Sequence, residues 1–321
     1  MGQDLSEYLS QCLQVVWPSQ TESQKSPGRE QSRPFHFLTF GFGSNNLILS
    51  IVATVVLNHG GARMDSVDGF SRFMSQFRFD RSMASWVGVE REAFLIDETG
   101  NIVPRAQEVL ACLGESFGNR FGFELSACQF EDRVGPCPSQ HLEQQLWLNE
   151  RILGLVERWL KLRRSFIEVA PIDMPLDVYP YERYQRIVAT MPREMLLAAC
   201  RVAGVHVHIG MPDHSTALKV YNHVIGHCDE LCQLGDGSNG ERLRLYKQVA
   251  PNCQPRSYDN WQDFYGYMAE QGLDQEPRGL WTLVRISIHG TIEFRTFGTT
   301  DNQHKIIYWA DRCQRLCLQA M

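Results

Sequence analysis

Leu283-Val284-Arg285-Ile286-Ser287-Ile288-His289-Gly290-Thr291-Ile292-Glu293-Phe294-Arg295-Thr296-Phe297 alternates polar and apolar residues on both sides of one glycine. Residues i and i+2 of a strand share a face. The stretch therefore predicts a hairpin turning at Gly290, with Val284, Ile286, Ile292 and Phe294 toward a core. Its other face carries Arg285, Ser287 and His289 on one strand and Thr291, Glu293 and Arg295 on the next. Three further stretches repeat the pattern: Val89-Glu90-Arg91-Glu92, Gln129-Phe130-Glu131 and Val205-His206-Val207-His208-Ile209. A solvated strand face is ordinarily rich in Lys, Thr and Ser. A face of Glu, His and Arg reads instead as a floor for cations and phosphates.

Outward from the hairpin, the remaining elements follow from periodicity and breakers. Trp86 to Ile96 alternates as a strand, and Asp97 to Asn101 is a turn. Ala106 to Leu113 is a short helix, and Phe121 to Glu131 is a strand or a broken strand. Pro136-Cys137-Pro138-Ser139 ends that strand and opens a helix from about His141 to Leu162. Its inward positions include Leu142, Leu146, Ile152, Val156 and Trp159. Pro171 to Tyr181 is loop, Tyr184 to Val188 a short helix, and Met195 to Val202 an apolar lead into the His strand. Ser215 to Leu234 reads as one helix. Glu241 to Val249, Trp261 to Gln271 and Gln303 to Ala320 complete the helices. The order predicts an α+β fold on an antiparallel sheet.

Residues 1–80 form an N-terminal extension to which no function is assigned, and 81–321 the catalytic domain. Ser19 to Pro34 is polar and predicted disordered. In the apolar run Phe35 to Leu57, the dense part from Leu47 is too short to span a bilayer, so no membrane insertion is expected. Gly2 to Ser6 matches a loose myristoylation pattern by chance, and Met64, Met74 and Met83 are alternative starts.

The 321 residues carry a net charge of −6, which argues against nonspecific nucleic-acid binding. It does not exclude anionic substrates, because a bound Mg²⁺ or an arginine cluster overrules the global sign locally. Ten cysteines lack any C-x-x-C pair, which fits a reduced, cytoplasmic protein.

Glu90 and Glu92 lie about 7 Å apart on one strand face. Two such carboxylates raise one another's pKa or share a cation. A glycosidase pair is conceivable, but further oxygen and nitrogen ligands downstream favour a divalent ion. His206 and His208 also share a face, as a zinc pair or as one ligand beside a phosphate-contacting His. Glu124 and Glu131 would face opposite ways in an unbroken strand, so a bulge intervenes or one of them alone joins the site. The loop Asp236-Gly237-Ser238-Asn239-Gly240, ahead of Arg242, is either an anion cradle or an ordinary helix cap. No P-loop, G-x-G-x-x-G or G-x-S-x-G motif occurs.

Gly88-Val89-Glu90-Arg91-Glu92, Gln129-Phe130-Glu131 before Pro136, Tyr179-Pro180 with Arg183-Tyr184, Gly204 to His208 and Gly290 to Arg295 stand in a telling order. Together they resemble the glutamate–cysteine ligase family, in its bacterial carboxylate–amine ligase branch. The resemblance implies a glutamine-synthetase-like fold, a bent antiparallel β-sheet funnel flanked by helices. It also implies ATP and Mg²⁺ as cofactors, used to join a carboxylate, usually the γ-carboxylate of glutamate, to an amine through an acyl phosphate. It puts Glu90, Glu92, Glu131, His206 and Glu293 on Mg²⁺, with Glu124 a weaker candidate. Arg295 would touch the transferred phosphoryl group with help from Arg285, and His208 would orient a carboxylate or move the amine proton. Arg295, His289 and Arg242 are the expected nucleotide contacts. Partners are small-molecule acids and amines, with no nucleic acid and a possible homo-oligomer. The region between the His strand and the hairpin is shorter than the family's and lacks its substrate motifs. Two alternatives follow: a noncatalytic nucleotide- or metabolite-binding relative, and a zinc-dependent amidohydrolase with His206 and His208 on the metal.

Overall fold

Strand β1 (Val87–Asp97) is the centre on which the other elements are hung. The computed structural model describes residues 65–321; the predicted disordered tract, the apolar run and the Gly2 to Ser6 pattern lie outside them. On one side β1 pairs with β3 (Gln129–Cys137), which pairs in turn with β2 (Phe121–Phe123). On its other side β1 meets two strands in succession. Its first half pairs with β5 (Gly204–Gly210) and its second half with β4 (Leu162–Ser165). The hairpin β6 (Val284–Ser287) and β7 (Thr291–Gly298) completes the sheet beyond β5. Every pairing is antiparallel and the order is β2-β3-β1-β5-β7-β6.

The helices are α1 (Asp65–Ser75), α2 (Ala106–Leu113), α3 (Leu142–Leu160), α4 (Glu182–Thr190) and α5 (Arg193–Arg201). They continue as α6 (His214–Val224), α7 (Cys228–Gly235), α8 (Glu241–Val249), α9 (Trp261–Glu270) and α10 (Gln303–Ala320). Helices α6, α7 and α10 lie against β5, β6 and β7. Val205, Val207, Ile209, Ile292 and Phe294 are fully buried in the core they share. Each such side chain contributes about 1.5–3 kcal/mol. A second core of Leu95, Val109, Phe130, Ile152 and Val156 lies where α2 and α3 meet the sheet. All the polar residues that the alternation put opposite the core are thereby left on the other face.

Residues 65–80 belong to this body. Phe73 and Phe77 are buried and pack edge-on against Phe264 and Trp261 respectively. Among the described residues no helix is long and apolar enough to cross a membrane, and the described cysteines are all free.

Several expectations are corrected. The helix read over Ser215 to Leu234 is two helices separated by a 3-10 turn at Ile225–His227. Gly226 stands at the break, where glycine costs about 1 kcal/mol against alanine in a helix interior. Pro136 does not end β3, which runs on to Cys137. Between the pairs Val87–Cys137 and Val89–Val134 the register slips, and such a bulge tolerates a residue without an N–H. Helix α3 stops earlier, at Lys161 in the left-handed conformation (φ 53°), and the chain turns back into β4, a strand the periodicity did not reveal. Trp159, read as inward, is 54% exposed. The apolar lead over Met195 to Val202 is mostly helix α5.

Candidate functional site

Register rather than sequence proximity assembles the polar face. Glu90 stands opposite His206, Glu92 opposite Glu131, His208 opposite Glu293, and Glu293 opposite Arg285. Five strands thus contribute one continuous row. Glu90 Oε2 lies 3.2 Å from His206 Nδ1 and 3.5 Å from His208 Nε2. His206 Nε2 lies 3.5 Å from Glu92 Oε1, and His208 Nδ1 is 3.0 Å from the Thr291 hydroxyl.

The acidic end of the row is its most unusual part. Glu92, Glu124 and Glu131 each offer an oxygen, and the three oxygens lie within 4.8 Å of one another. Glu124 joins because the chain leaves strand geometry between β2 and β3, so the strict alternation that would have sent it to the other face does not apply. Burial, then the charge of Glu131, raises Glu92 to about 7. Burial, then the charge of Glu92, raises Glu124 to about 7. Glu131 is raised well above the carboxylate range by burial and by Glu90 and Glu124, against the pull of Arg133. Arg133 Nε donates to Glu131, and Gly204 N–H donates to Glu92 Oε2 at 2.7 Å. These partners do not offset the crowding. Carboxyls that are buried together and hold protons toward neutral pH signal an unmet demand for positive charge.

The other end is charge-matched. Glu293 is buried between Arg285 Nε at 2.7 Å and Arg295 Nη1 at 2.8 Å. Burial opposes its ionisation, but Arg285, His208 and Arg295 hold its pKa below the usual range. Arg285 also donates to the carbonyl oxygens of Arg278 and Leu280, at 3.0 Å each. Arg295 Nε donates to the Tyr246 hydroxyl at 3.1 Å. Burial would raise Glu90, yet His208 and His206 hold it well below the usual range. Burial and Arg295 push His206 down. His208 is raised despite burial, by Glu90 and Glu293. Burial and His208 push His289 down to about 4.

A bulge positions Arg295. Val205 pairs with Phe297 and Val207 with Phe294, so β7 places Arg295 and Thr296 where β5 has only His206. Phe297 then returns to the core, stacked on Trp309 with centroids 4.9 Å apart. Gly204 matters for the space it leaves. A Cβ there would lie 2.9 Å from Phe297 O, 3.4 Å from Arg242 Nη1 and 3.9 Å from Glu92 Oε2.

The loop before α8 resolves the choice left open by its sequence. Asp236 accepts from Ser238 N and Gly240 N, Ser238 Oγ accepts from Arg242 N, and Glu168 accepts from Gly237 N. These amides are already occupied, so the loop is a helix cap rather than an anion cradle. The buried Arg242 guanidinium donates to Thr296 O at 2.6 Å and reaches Glu92 only electrostatically.

Of the residues singled out in the sequence, Glu90, Glu92, Glu131, His206, His208, Arg285, Glu293 and Arg295 stand together on one face. Arg133 was missed, although the i, i+2 rule that links Gln129 and Glu131 reaches it directly. Tyr246 was missed because nothing in a helix sequence announces that it will meet Arg295. The three-carboxylate group suits a hard cation such as Mg²⁺, which prefers oxygen ligands, over the imidazole and thiolate sets of zinc.

No family model matches the chain. A protein of Gloeobacter violaceus named "Putative glutamate--cysteine ligase 2" is 27% identical over 69% of this chain and 64% of its own length. One of the same name from Leifsonia xyli subsp. xyli is 26% identical over 61% of this chain and 56% of its own. The chain thus spans less than two thirds of these relatives. The crystal structure of a bifunctional glutathione synthetase from Pasteurella multocida superposes with a TM-score of 0.54 at 13% identity, covering 80% of this chain and 41% of that one. That similarity is one of fold, and it agrees with the α+β antiparallel architecture. The resemblance carried by the strand motifs is therefore matched by similarity along most of the chain: this protein is a distant homologue of bacterial proteins that bear the name "Putative glutamate--cysteine ligase 2".

Proposed function

We propose that this protein is an ATP- and Mg²⁺-dependent carboxylate–amine ligase that joins the γ-carboxylate of glutamate, or of a similar acid, to an amine through an acyl phosphate. The observation that carries the reading is the convergence of Glu92, Glu124 and Glu131, from β1, β3 and the segment between β2 and β3, within 4.8 Å. Those three would hold Mg²⁺, with Glu90, His206 and Glu293 along the same row. The bound ion would neutralise the nucleotide phosphates and so lower the cost of phosphoryl transfer.

The chain's own groups have matching tasks. Arg295 is fixed at two nitrogens, by Glu293 and by Tyr246. A guanidinium aimed in advance suits charge that develops on a transferred phosphoryl group. Arg285 is fixed by three bonds and serves to hold Glu293 and the Arg278 turn in place. His208, raised by its carboxylate neighbours, is placed to exchange a proton with the amine. We place the protein in the cytoplasm, where its free cysteines would stay reduced.

The test is a coupled ADP-release screen with Mg²⁺, glutamate and related acids, and a panel of amines. ADP and phosphate should appear only when acid and amine are both present. AMP and pyrophosphate would mean adenylation instead. Calorimetric binding of Mg·ATP with no product from any pair would favour a noncatalytic relative.

A further inference from the structure

One guanidinium group already lies among the crowded carboxyls. Arg133 is two residues beyond Glu131 on β3, and the register sets it opposite Glu90, as Glu131 is set opposite Glu92. Its side chain therefore stands on the face of the acidic group, about a quarter exposed, and its Nε donates to Oε1 of the buried Glu131. It also faces the charges of Glu90 and Glu124. Among the described residues it is the one arginine in an ion pair with any of Glu92, Glu124 and Glu131.

The neighbouring strand makes room for this group. Gly122 of β2 pairs with Glu131. A Cβ at Gly122 would lie 2.3 Å from Arg133 Nη2, 2.6 Å from its Cζ and 3.0 Å from its Nη1. The guanidinium thus rests against the Gly122 backbone, in the space a side chain would fill. Strand geometry suits any residue with a side chain better than it suits glycine, so what glycine supplies here is room for a close approach.

A guanidinium and a metal ion compete for carboxylate oxygens. The lone pair of Glu131 Oε1 that accepts from Nε is denied to an ion, and two positive charges repel strongly where little water screens them. We propose that Arg133 sets the metal affinity of the site: it stands in for the cation while the metal is absent, keeps Mg²⁺ binding weak, and gives up Glu131 when the ion enters. That role presupposes the Mg²⁺ reading of Glu92, Glu124 and Glu131. An arginine that merely aimed Glu131 at the ion would strengthen Mg²⁺ binding, so the sign of the effect separates the two roles.

Titration calorimetry with Mg²⁺ alone, without nucleotide or turnover, tests this at about pH 8, where protons compete least for the carboxyls. Arg133→Met should bind Mg²⁺ at least about tenfold more tightly than the wild type. Arg133→Lys, which keeps the charge on a more mobile head, should fall between them. Saturating Mg²⁺ should also raise the melting temperature of Arg133→Met by more than it raises that of the wild type. A folded Arg133→Met protein with wild-type or weaker Mg²⁺ affinity overturns the proposal. If Arg133→Met does not fold, Gly122→Ala gives a second readout, because the added methyl evicts the flexible end of Arg133 from its niche. A smaller gain in Mg²⁺ affinity is expected there, and an unchanged or weaker affinity overturns the proposal. Mg²⁺ bound equally by the wild type and Arg133→Met removes the role of Arg133 and leaves the metal reading standing. Failure of the wild type and the variants alike to bind Mg²⁺ removes both.

Discussion

Glu90, Arg91 and Glu92 are consecutive in β1 and belong to two different buried charge clusters. The two carboxylates face the site. Arg91 points through the sheet to the other side, where it is fully buried against Asp132 at 2.9 Å and also contacts Glu150. Arg164 of β4 joins them, at 2.7 Å from Glu150 and 2.8 Å from Glu157. Asn149 donates to Asp132 at 3.3 Å. The Phe166 ring covers both guanidinium groups, at 4.8 and 5.4 Å from its centroid. Burial would raise Glu150, but Arg164 and Arg91 hold it below the usual carboxylate value. The site carboxyls Glu92, Glu124 and Glu131 move the other way. Burial is common to both clusters, so it does not mark function. What separates them is local balance: one cluster sets its carboxylates against Arg91 and Arg164, and the other crowds three carboxyls together with Arg133 beside Glu131.

The largest expected effect tests the balanced cluster. Arg91→Met removes a charge that Asp132 and Glu150 depend on. Breaking a buried pair from one side typically costs about 3–5 kcal/mol. Urea denaturation should show a loss of that size. Because the substitution acts on the opposite face of the sheet, any activity of the remaining folded protein should be close to wild type at low temperature. A loss under about 1 kcal/mol would mean the cluster is not the structural element its geometry suggests.

The acidic cluster should respond in the opposite sense. Glu92→Gln relieves repulsion among buried carboxyls, so thermal stability without metal should hold or rise. Turnover in the ADP-release assay should fall at least about 100-fold, the scale of losing a preorganised electrostatic contact to the reacting charge. Stability lost together with activity would make Glu92 another structural acid and erase the contrast between the two faces.

How much of this contrast was legible beforehand depends on the range of the signal. The hairpin turn at Gly290, the helices α2 and α8 and the grouping of His206 with His208 all follow from two- or four-residue periodicities, and the structure reproduces them. Arg91 stands in the sequence at an apolar position of the alternation, between two glutamates. Its partners Glu150 and Arg164 come from α3 and β4, and no periodicity connects them to β1. Glu124 stayed open because its place depends on an irregular connection before β3, where alternation gives no guidance. The bulge that sets Arg295 and Thr296 against His206 was equally hidden, since it exists only in the pairing of two strands. Local pattern showed which side chains share a face. The partner each one meets was decided by tertiary register.

The smallest predicted effect compares the clusters by titration. Glu92 and Glu124, raised to about 7 in the folded protein, keep their protons at a pH where the unfolded chain, titrating near 4.5, has lost them. The native state then binds more protons, and linkage makes stability fall as pH rises. The contribution is full below about 4.5 and gone above about 7. His208, also raised, acts in the same direction, while the lowered His206 opposes it. The depressed Glu150 behaves as an ordinary paired acid: its stabilisation is present above 4.5 and is lost only as pH falls through its folded value. Melting temperatures in a chelator should therefore decline between pH 5 and 8. Saturating Mg²⁺ should flatten the decline, because the ion takes the place of the protons at the acidic group. In the double variant Glu92→Gln with Glu124→Gln both the slope and the Mg²⁺ response should shrink, whereas a substitution in the balanced cluster should shift the whole curve down and leave its slope. A wild type with a flat profile that ignores Mg²⁺ would show that the acidic group is charge-satisfied after all, and the two faces of β1 would then differ in position alone.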